Sequence, residues 1–244
     1  MKTQIRIFIF SGLLLAALSV VFLLAGRWRF SAADDAAQIS ASIWPGYKRE
    51  AKTHVSQRLL DLESLAPIEG GALFIGDSIT EFAPLASMFP GVLIANYGVG
   101  WGTSDGLLLR LDQVARNAPD RVFILIGTND IHYDQPPEHI AGNILSAATS
   151  LRRDMPGAEL YVISLLPREL KSMAAVRATN ALLEERAAAG SYVYLDVSQA
   201  LAAPDGSLRA GLTTDGLHLN AAGYAALSRA MGPCVLSGCE ALPQ

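Results

Sequence analysis

From residue 72 onward the chain alternates short, unbroken apolar runs with longer amphipathic stretches, and this pattern constrains the fold more than any other feature. The runs cover residues 72–75, 92–95, 122–126, 160–165 and 192–195. A strand with one wet face alternates apolar and polar residues, whereas a strand covered on both faces is apolar throughout. The stretches between the runs are long enough for helices, which are predicted at 104–117, 138–154, 172–189 and 221–231. Pro136 and Pro137 stand at the start of the second, Gly190 follows the third, and Asn220 is placed to cap the fourth. Alternating strands and helices join through right-handed crossovers, so the expected fold is α/β: a three-layer α/β/α sandwich around a five-stranded parallel sheet.

At 244 residues and 51% apolar content, the chain can bury a full core and still carry an appendage. A net charge of -4 leaves no broad basic surface to attract nucleic acid. The appendage is N-terminal. Residues 7–26 carry no charge, follow Lys2 and Arg6, and match the ~20 residues a helix needs to cross a bilayer. A secretory signal has an apolar segment of only ~7–15 residues, so an uncleaved anchor is preferred, with Ser31-Ala32-Ala33 leaving cleavage and secretion as the alternative. The expected topology puts the N-terminus inside and the α/β domain outside the cytoplasm, in the periplasm of a Gram-negative host. The chain then divides into an anchor or signal segment (1–30), a linker and helical lead-in (31–70), the α/β domain (71–233) and a C-terminal tail (234–244). The lead-in helix is expected at 48–65, with Val55, Leu59, Leu60 and Leu62 apolar and His54 on the surface. In the tail, Cys234 and Cys239 are flanked by Pro233 and Gly238, which favour a tight loop. They would pair in an oxidising compartment, because structural zinc wants four ligands and no histidine lies nearby.

Chemistry is carried by short islands behind the runs. The first is Gly76-Asp77-Ser78-Ile79-Thr80 and the last Asp215-Gly216-Leu217-His218-Leu219-Asn220. Alone, Ser78 reads as a turn serine or a helix cap, and His218 as a histidine after an Asp-Gly turn. Together they can meet at the C-terminal edge of one sheet, where open α/β folds place their ligands. A serine hydroxyl needs a base to take its proton and an acid to orient that base, and this chain furnishes all three. Asp77 reads as an acceptor for nearby backbone amides, and Asp130 as a loop stabiliser. No phosphate loop or dinucleotide fingerprint is present, and the candidate site has one histidine and no clustered thiols, so neither cofactor nor metal is expected. The absence of a Gly-x-Ser-x-Gly elbow separates the chain from ordinary α/β-hydrolases.

Two further islands, Asn96-Tyr97-Gly98-Val99-Gly100-Trp101-Gly102-Thr103 and Gly127-Thr128-Asn129-Asp130, lie between the outer pair. In this order, over residues 72–231, the four islands resemble the SGNH, or GDSL-type, hydrolases, whose fold is the same flavodoxin-like sandwich. The resemblance implies that Ser78 is the nucleophile and that Asp215 and His218 complete a catalytic triad. It also implies an oxyanion hole made by the Ser78 amide, the Asn129 side chain and a backbone amide in residues 100–102. Family members usually read Asn-x-Gly-x-x-Gly-Asp-Thr in the second island. Ungapped alignment on Asn96 and Thr103 puts Trp101 at the oxyanion glycine, so Gly100 and Trp101 are both candidates, and Gly102 replaces the family's aspartate.

The expected function is a membrane-anchored, exported serine esterase that hydrolyses short-chain acyl, chiefly acetyl, esters through an acyl-enzyme. A carbohydrate O-acetyltransferase or deacetylase acting on surface or cell-wall glycan uses the same triad, and a non-catalytic binding protein is the third alternative. The expected partners are a small-molecule or glycan ester and, through the N-terminal helix, a membrane.

Overall fold

The computed structural model describes residues 49–188 and 190–239. The membrane segment expected at 7–26 and the linker after it lie outside the described residues. Among the described residues no helix is long and apolar enough to cross a membrane.

Five strands, β1 (Ala72–Gly76), β2 (Ile94–Gly98), β3 (Arg121–Leu125), β4 (Glu159–Ile163) and β5 (Val193–Leu195), form one sheet in the order β2-β1-β3-β4-β5. All four pairings are parallel. Because side chains alternate across a strand, each unbroken apolar run feeds two cores. Leu73, Ile75, Val122, Ile124, Leu160 and Val162 enter one layer, while Ala72, Phe74, Phe123, Leu125, Tyr161 and Ile163 enter the other. The first layer is covered by α1 (Arg49–Ser64), α7 (Pro137–Asp154) and α8 (Met173–Ala187), and the second by α10 (Ala221–Ser237). In the second layer the parallel register aligns Phe74, Phe123 and Tyr161 side by side, with ring centroids 4.9 and 4.8 Å apart and Phe89 stacked at the end of the row. Such contacts add roughly 0.5–1.5 kcal/mol each beyond the area they bury.

The remaining elements are short. They are α2 (Ser78–Glu81), α3 (Leu85–Met88), α4 (Ser104–Leu108), α5 (Leu111–Val114), α6 (Thr128–His132) and α9 (Ser198–Leu201). The sequence pattern misleads at three places. The single helix expected at 104–117 is broken at Leu109 and Arg110 into α4 and α5, because Arg110 turns its guanidinium under the sheet edge to bond Gly76 O and Tyr97 O. The strand expected at 92–95 runs two residues later, and half-exposed Leu93 lies in the approach to it. The helix expected to stop at 231 runs on through Pro233 to Ser237 and buries Cys234 and Val235. The expected tail at 234–244 therefore begins inside a core helix, and Pro233 lies within the helix rather than in a tight loop. The lead-in helix does form, burying Ala51, Val55, Leu59 and Leu62 at helical spacing and leaving Leu60 exposed.

Cys234 and Cys239 form a disulfide. It lies at the N-terminal end of the strands, where Arg121 donates to Val235 O at 2.7 Å and Cys239 N donates to the Tyr161 hydroxyl at 3.0 Å.

Candidate active site

At the opposite, C-terminal end of the sheet, β1 turns into α2 within one residue. Asp77 caps the helix by accepting the Ile79 N–H at 2.9 Å, as expected of a structural acceptor. Ser78 is the first helical residue and is 8% exposed. First-turn amides of a helix have no intrahelical partner, so the Ser78 N–H is available to a ligand oxygen. The turn leaves no room for side chains. A Cβ on Gly76 would lie 2.4 Å from Leu125 O, and one on Gly98 would lie 2.2 Å from Glu81 N.

Arginines bond the carbonyls around this sheet edge, where Gly76 O also accepts the Val99 N–H at 3.0 Å. Arg110 donates to Tyr97 O at 2.9 Å and Gly76 O at 3.2 Å, and Arg58 donates to Asn96 O at 2.9 Å and Gly98 O at 3.0 Å. Arg168 donates to Thr128 O at 2.7 Å and to its hydroxyl at 3.1 Å. Full burial lowers Arg110 to about 10, which leaves it charged at neutral pH. Sequence reading missed all three arginines, since nothing near them in the chain indicates partners up to 40 positions away.

His218 and Asp215 share a loop closed by a bridge between Thr213 and Leu219. Gly216 turns it at φ 83°, and Asp215 Oδ1 accepts the N–H groups of Leu217 at 3.0 Å and His218 at 2.7 Å. The other oxygen, Oδ2, lies 2.6 Å from His218 Nδ1. Desolvation raises the Asp215 carboxyl, but the bonds from the His218 ring, its amide and the Leu217 amide outweigh this and hold it down at about 2. A carboxylate only accepts, so Nδ1 carries the ring proton and the Nε2 lone pair points away from Asp215. That lone pair meets Ser78 Oγ at 2.9 Å. The loop is locked to the serine's helix from behind: Asn220 caps α10 through the Gly223 N–H, and Tyr224, one turn into α10, donates its hydroxyl to Ile79 O at 2.8 Å. The structure thus brings Ser78, His218 and Asp215 into one hydrogen-bonded line.

Asn129 is on α6, entered through Gly127 at φ 126°. Its side-chain amide donates to Gly102 O at 2.9 Å, which leaves its second N–H for a ligand oxygen. The neighbouring Asp130 is buried and accepts the Ser104 amide and hydroxyl; burial raises its carboxyl while these bonds lower it. It stabilises the loop as expected. Of the amides at residues 100–102, that of Gly100 is directed to the Glu81 carboxylate and that of Gly102 to Val99 O. The oxyanion role expected of Gly100 is therefore not met in this arrangement, because its N–H is spent on a protein acceptor. Trp101 sits between them at φ 65°, 45% exposed. Phe82, 58% exposed, caps the C-terminus of α2, with its ring centroid 6.2 Å from that of His218. His54, expected on the surface, is partly exposed there and also reaches Glu81 at 3.0 Å. Among the described residues, no group of three His, Cys, Asp or Glu side chains is placed to hold a metal.

Known proteins are similar to this chain in sequence and in fold. The rat (Rattus norvegicus) platelet-activating factor acetylhydrolase IB subunit alpha2 is 25% identical over 187 residues, spanning 72% of this chain and 80% of that protein. A solved structure of a platelet activating factor from Streptococcus pneumoniae superposes with a TM-score of 0.64 at 28% identity, covering 89% of this chain and 99% of its own. An acetylxylan esterase from Geobacillus stearothermophilus shares the fold, with a TM-score of 0.57 at 18% identity over 70% of this chain and 96% of its own. The model of the GDSL-like lipase/acylhydrolase family matches residues 74–226, from the strand before Ser78 into the helix after His218. With that match spanning more than half of the sequence, the chain belongs to the GDSL-like lipase/acylhydrolase family.

Proposed function

We propose that the protein is a serine esterase that removes short acyl groups, acetyl foremost, with Ser78 as nucleophile. The observation that carries this reading is the line from Ser78 Oγ through both nitrogens of His218 to Asp215, with gaps of 2.9 and 2.6 Å. Ser78 Oγ attacks the ester carbonyl as its proton passes to His218 Nε2. The C–O bond to the alcohol then breaks, and Nε2 returns the proton to the leaving oxygen. Water, deprotonated by the same nitrogen, attacks the acyl-enzyme and frees the acid and Ser78. Asp215 stays ionised and stabilises the imidazolium. The oxyanion is held by the Ser78 N–H, the second Asn129 N–H and the backbone amide at Trp101, the position that the family register gives.

Acetyl specificity is supported by the acetylhydrolase and acetylxylan esterase names of the relatives. The exposed rings of Phe82 and Trp101 leave the rim open, which favours a bulky alcohol component such as a glycan. Hydrolysis is favoured over transfer to a second glycan, because the His218 side chain is 34% exposed and water reaches it freely. The proposed location is outside the cytoplasm, tethered by residues 7–26, and the Cys234–Cys239 disulfide supports an oxidising compartment.

The test is hydrolysis of p-nitrophenyl esters, acetyl to decanoyl, by the full-length chain and its Ser78→Ala variant. The expected result is turnover that falls with chain length and is lost in the variant. Undiminished turnover by Ser78→Ala would sink the proposal.

A further inference from the structure

One carboxylate outside the serine, histidine and aspartate line touches both halves of the site. Glu81 is the last residue of α2, one helical turn after Ser78, and its largely buried side chain accepts the Gly100 N–H. The helix that carries the candidate nucleophile is thereby tied to the loop that carries Trp101. Two side chains from α1 hold the same carboxylate: His54 Nε2 lies 3.0 Å from Oε2, and Arg58 Nε 3.9 Å from Oε1. Arg58 also holds the carbonyls of Asn96 and Gly98, while Asn96 donates to Thr80 O at 2.8 Å and Glu81 O at 3.2 Å at the end of α2. A Cβ at Gly100 would sit 3.0 Å from His54 Nε2 and 3.1 Å from Glu81 Oε2, so the loop backbone is pressed against this pair. The α1 side chains lie upstream of the matched family segment, which begins at residue 74.

We infer that Glu81, held by His54 and Arg58, is a positioning residue that fixes the 99–102 loop for oxyanion binding, and that α1 is therefore part of the working site. The inference rests on the esterase reading with Ser78 as nucleophile. Its logic is steric and electrostatic. Trp101 adopts a left-handed backbone, which is unfavourable for a bulky residue and persists only when its surroundings hold it. Fixing the preceding amide on one side and the following amide, Gly102 to Val99 O, on the other defines the peptide between them. Catalytic donors that are already in place stabilise a developing charge without reorganising, whereas a loosened loop has to be ordered in the transition state.

The full-length chain is assayed as Glu81→Ala, Glu81→Gln, His54→Ala and Ser78→Ala, with thermal unfolding recorded for each. Glu81→Ala is expected to lower kcat on an acetyl ester about 10- to 100-fold with KM within about twofold, since it misplaces a donor rather than deleting one. A boronic acid that mimics the tetrahedral intermediate should bind Glu81→Ala more weakly by a similar factor. Glu81→Gln keeps an oxygen to accept the Gly100 N–H and should restore most of the rate. His54→Ala removes a half-exposed support and tolerates truncation, so it serves if Glu81→Ala does not fold; its kcat should fall about threefold at unchanged KM. If Ser78→Ala is inactive but both Glu81→Ala and His54→Ala keep the parent kcat, the positioning role is overturned while the nucleophile stands. A loss in Glu81→Gln as large as in Glu81→Ala overturns it as well. Turnover by Ser78→Ala overturns the esterase reading itself.

Discussion

Removing the Asn129 side chain separates an oxyanion donor from a loop asparagine. One of its two N–H groups is engaged by Gly102 O at 2.9 Å, and in the proposed mechanism the other meets the transition state. Asn129→Ala deletes both. Loss of the first leaves the Gly102 carbonyl to water, since Gly102 is partly exposed, and costs about 1 kcal/mol of stability. Loss of the second removes one preorganised donor, worth roughly 2.7–4 kcal/mol, which is a fall in kcat of about 100- to 1,000-fold. Ground-state binding gains little from this donor, so KM should move by less than about threefold. Asn129→Asp keeps the shape and reverses the polarity: a carboxylate cannot donate to Gly102 O and repels an oxyanion. Its kcat should fall below that of Asn129→Ala. Steady-state kinetics on p-nitrophenyl acetate, alongside urea unfolding of each variant, measure both parts. A folded Asn129→Ala within about threefold of the parent kcat refutes the donor role, and a raised KM at constant kcat reassigns Asn129 to substrate binding.

Burial raises the Asp77 carboxyl from 3.8 to about 7, against the Ile79 N–H bond that favours its charged form. Between these values the folded chain holds a proton that the unfolded chain has released, so this group lowers stability as pH rises from about 4 to about 7. Asp77→Asn keeps an oxygen for the Ile79 N–H and should flatten that part of the curve in urea unfolding across the range; an unchanged slope would show that Asp77 is not its source. Reducing the Cys234–Cys239 disulfide reopens a short loop and should cost roughly 2 kcal/mol of stability. It should leave kcat unchanged, because the bond lies at the far end of the strands from Ser78, and loss of turnover in step with reduction while the fold persists would contradict that.

The five strands were legible because burial on both faces leaves no polar residue to interrupt a run, as in Leu73-Phe74-Ile75. β2 starts two residues after its apolar run begins, for the converse reason. Its second half, Asn96-Tyr97-Gly98, looks like loop, yet the Asn96 side chain is satisfied by the carbonyls at the end of α2 and so can occupy a strand. One-turn helices such as α2 and α6 are too short to show a period. Pro233 suggested a helix end, but Cys234 and Val235 beyond it gain enough burial to carry the helix through. In the site, Ser78, Asp215 and His218 were legible from motif order, and the structure brings them together. The role of His54 was not, because its partner Glu81 is 27 positions away and a half-exposed histidine on a helix has no local signature. The same holds for Gly100, whose amide is directed by Glu81, 19 positions earlier and just outside the first island.

Ser78 and His218 are separated by 140 positions, and the Tyr224 hydroxyl that fastens their elements together reaches back over 145. During synthesis the serine's strand and helix emerge long before the segment bearing the base, and β5 and α10 must join the sheet before Nε2 comes within reach of Oγ. Contacts of such long range carry a high closure cost and form late in folding. In the proposed mechanism, reactivity is thus coupled to the completion of folding: an incompletely folded chain holds an ordinary serine, and the proposed nucleophile meets its base only when the last helix docks.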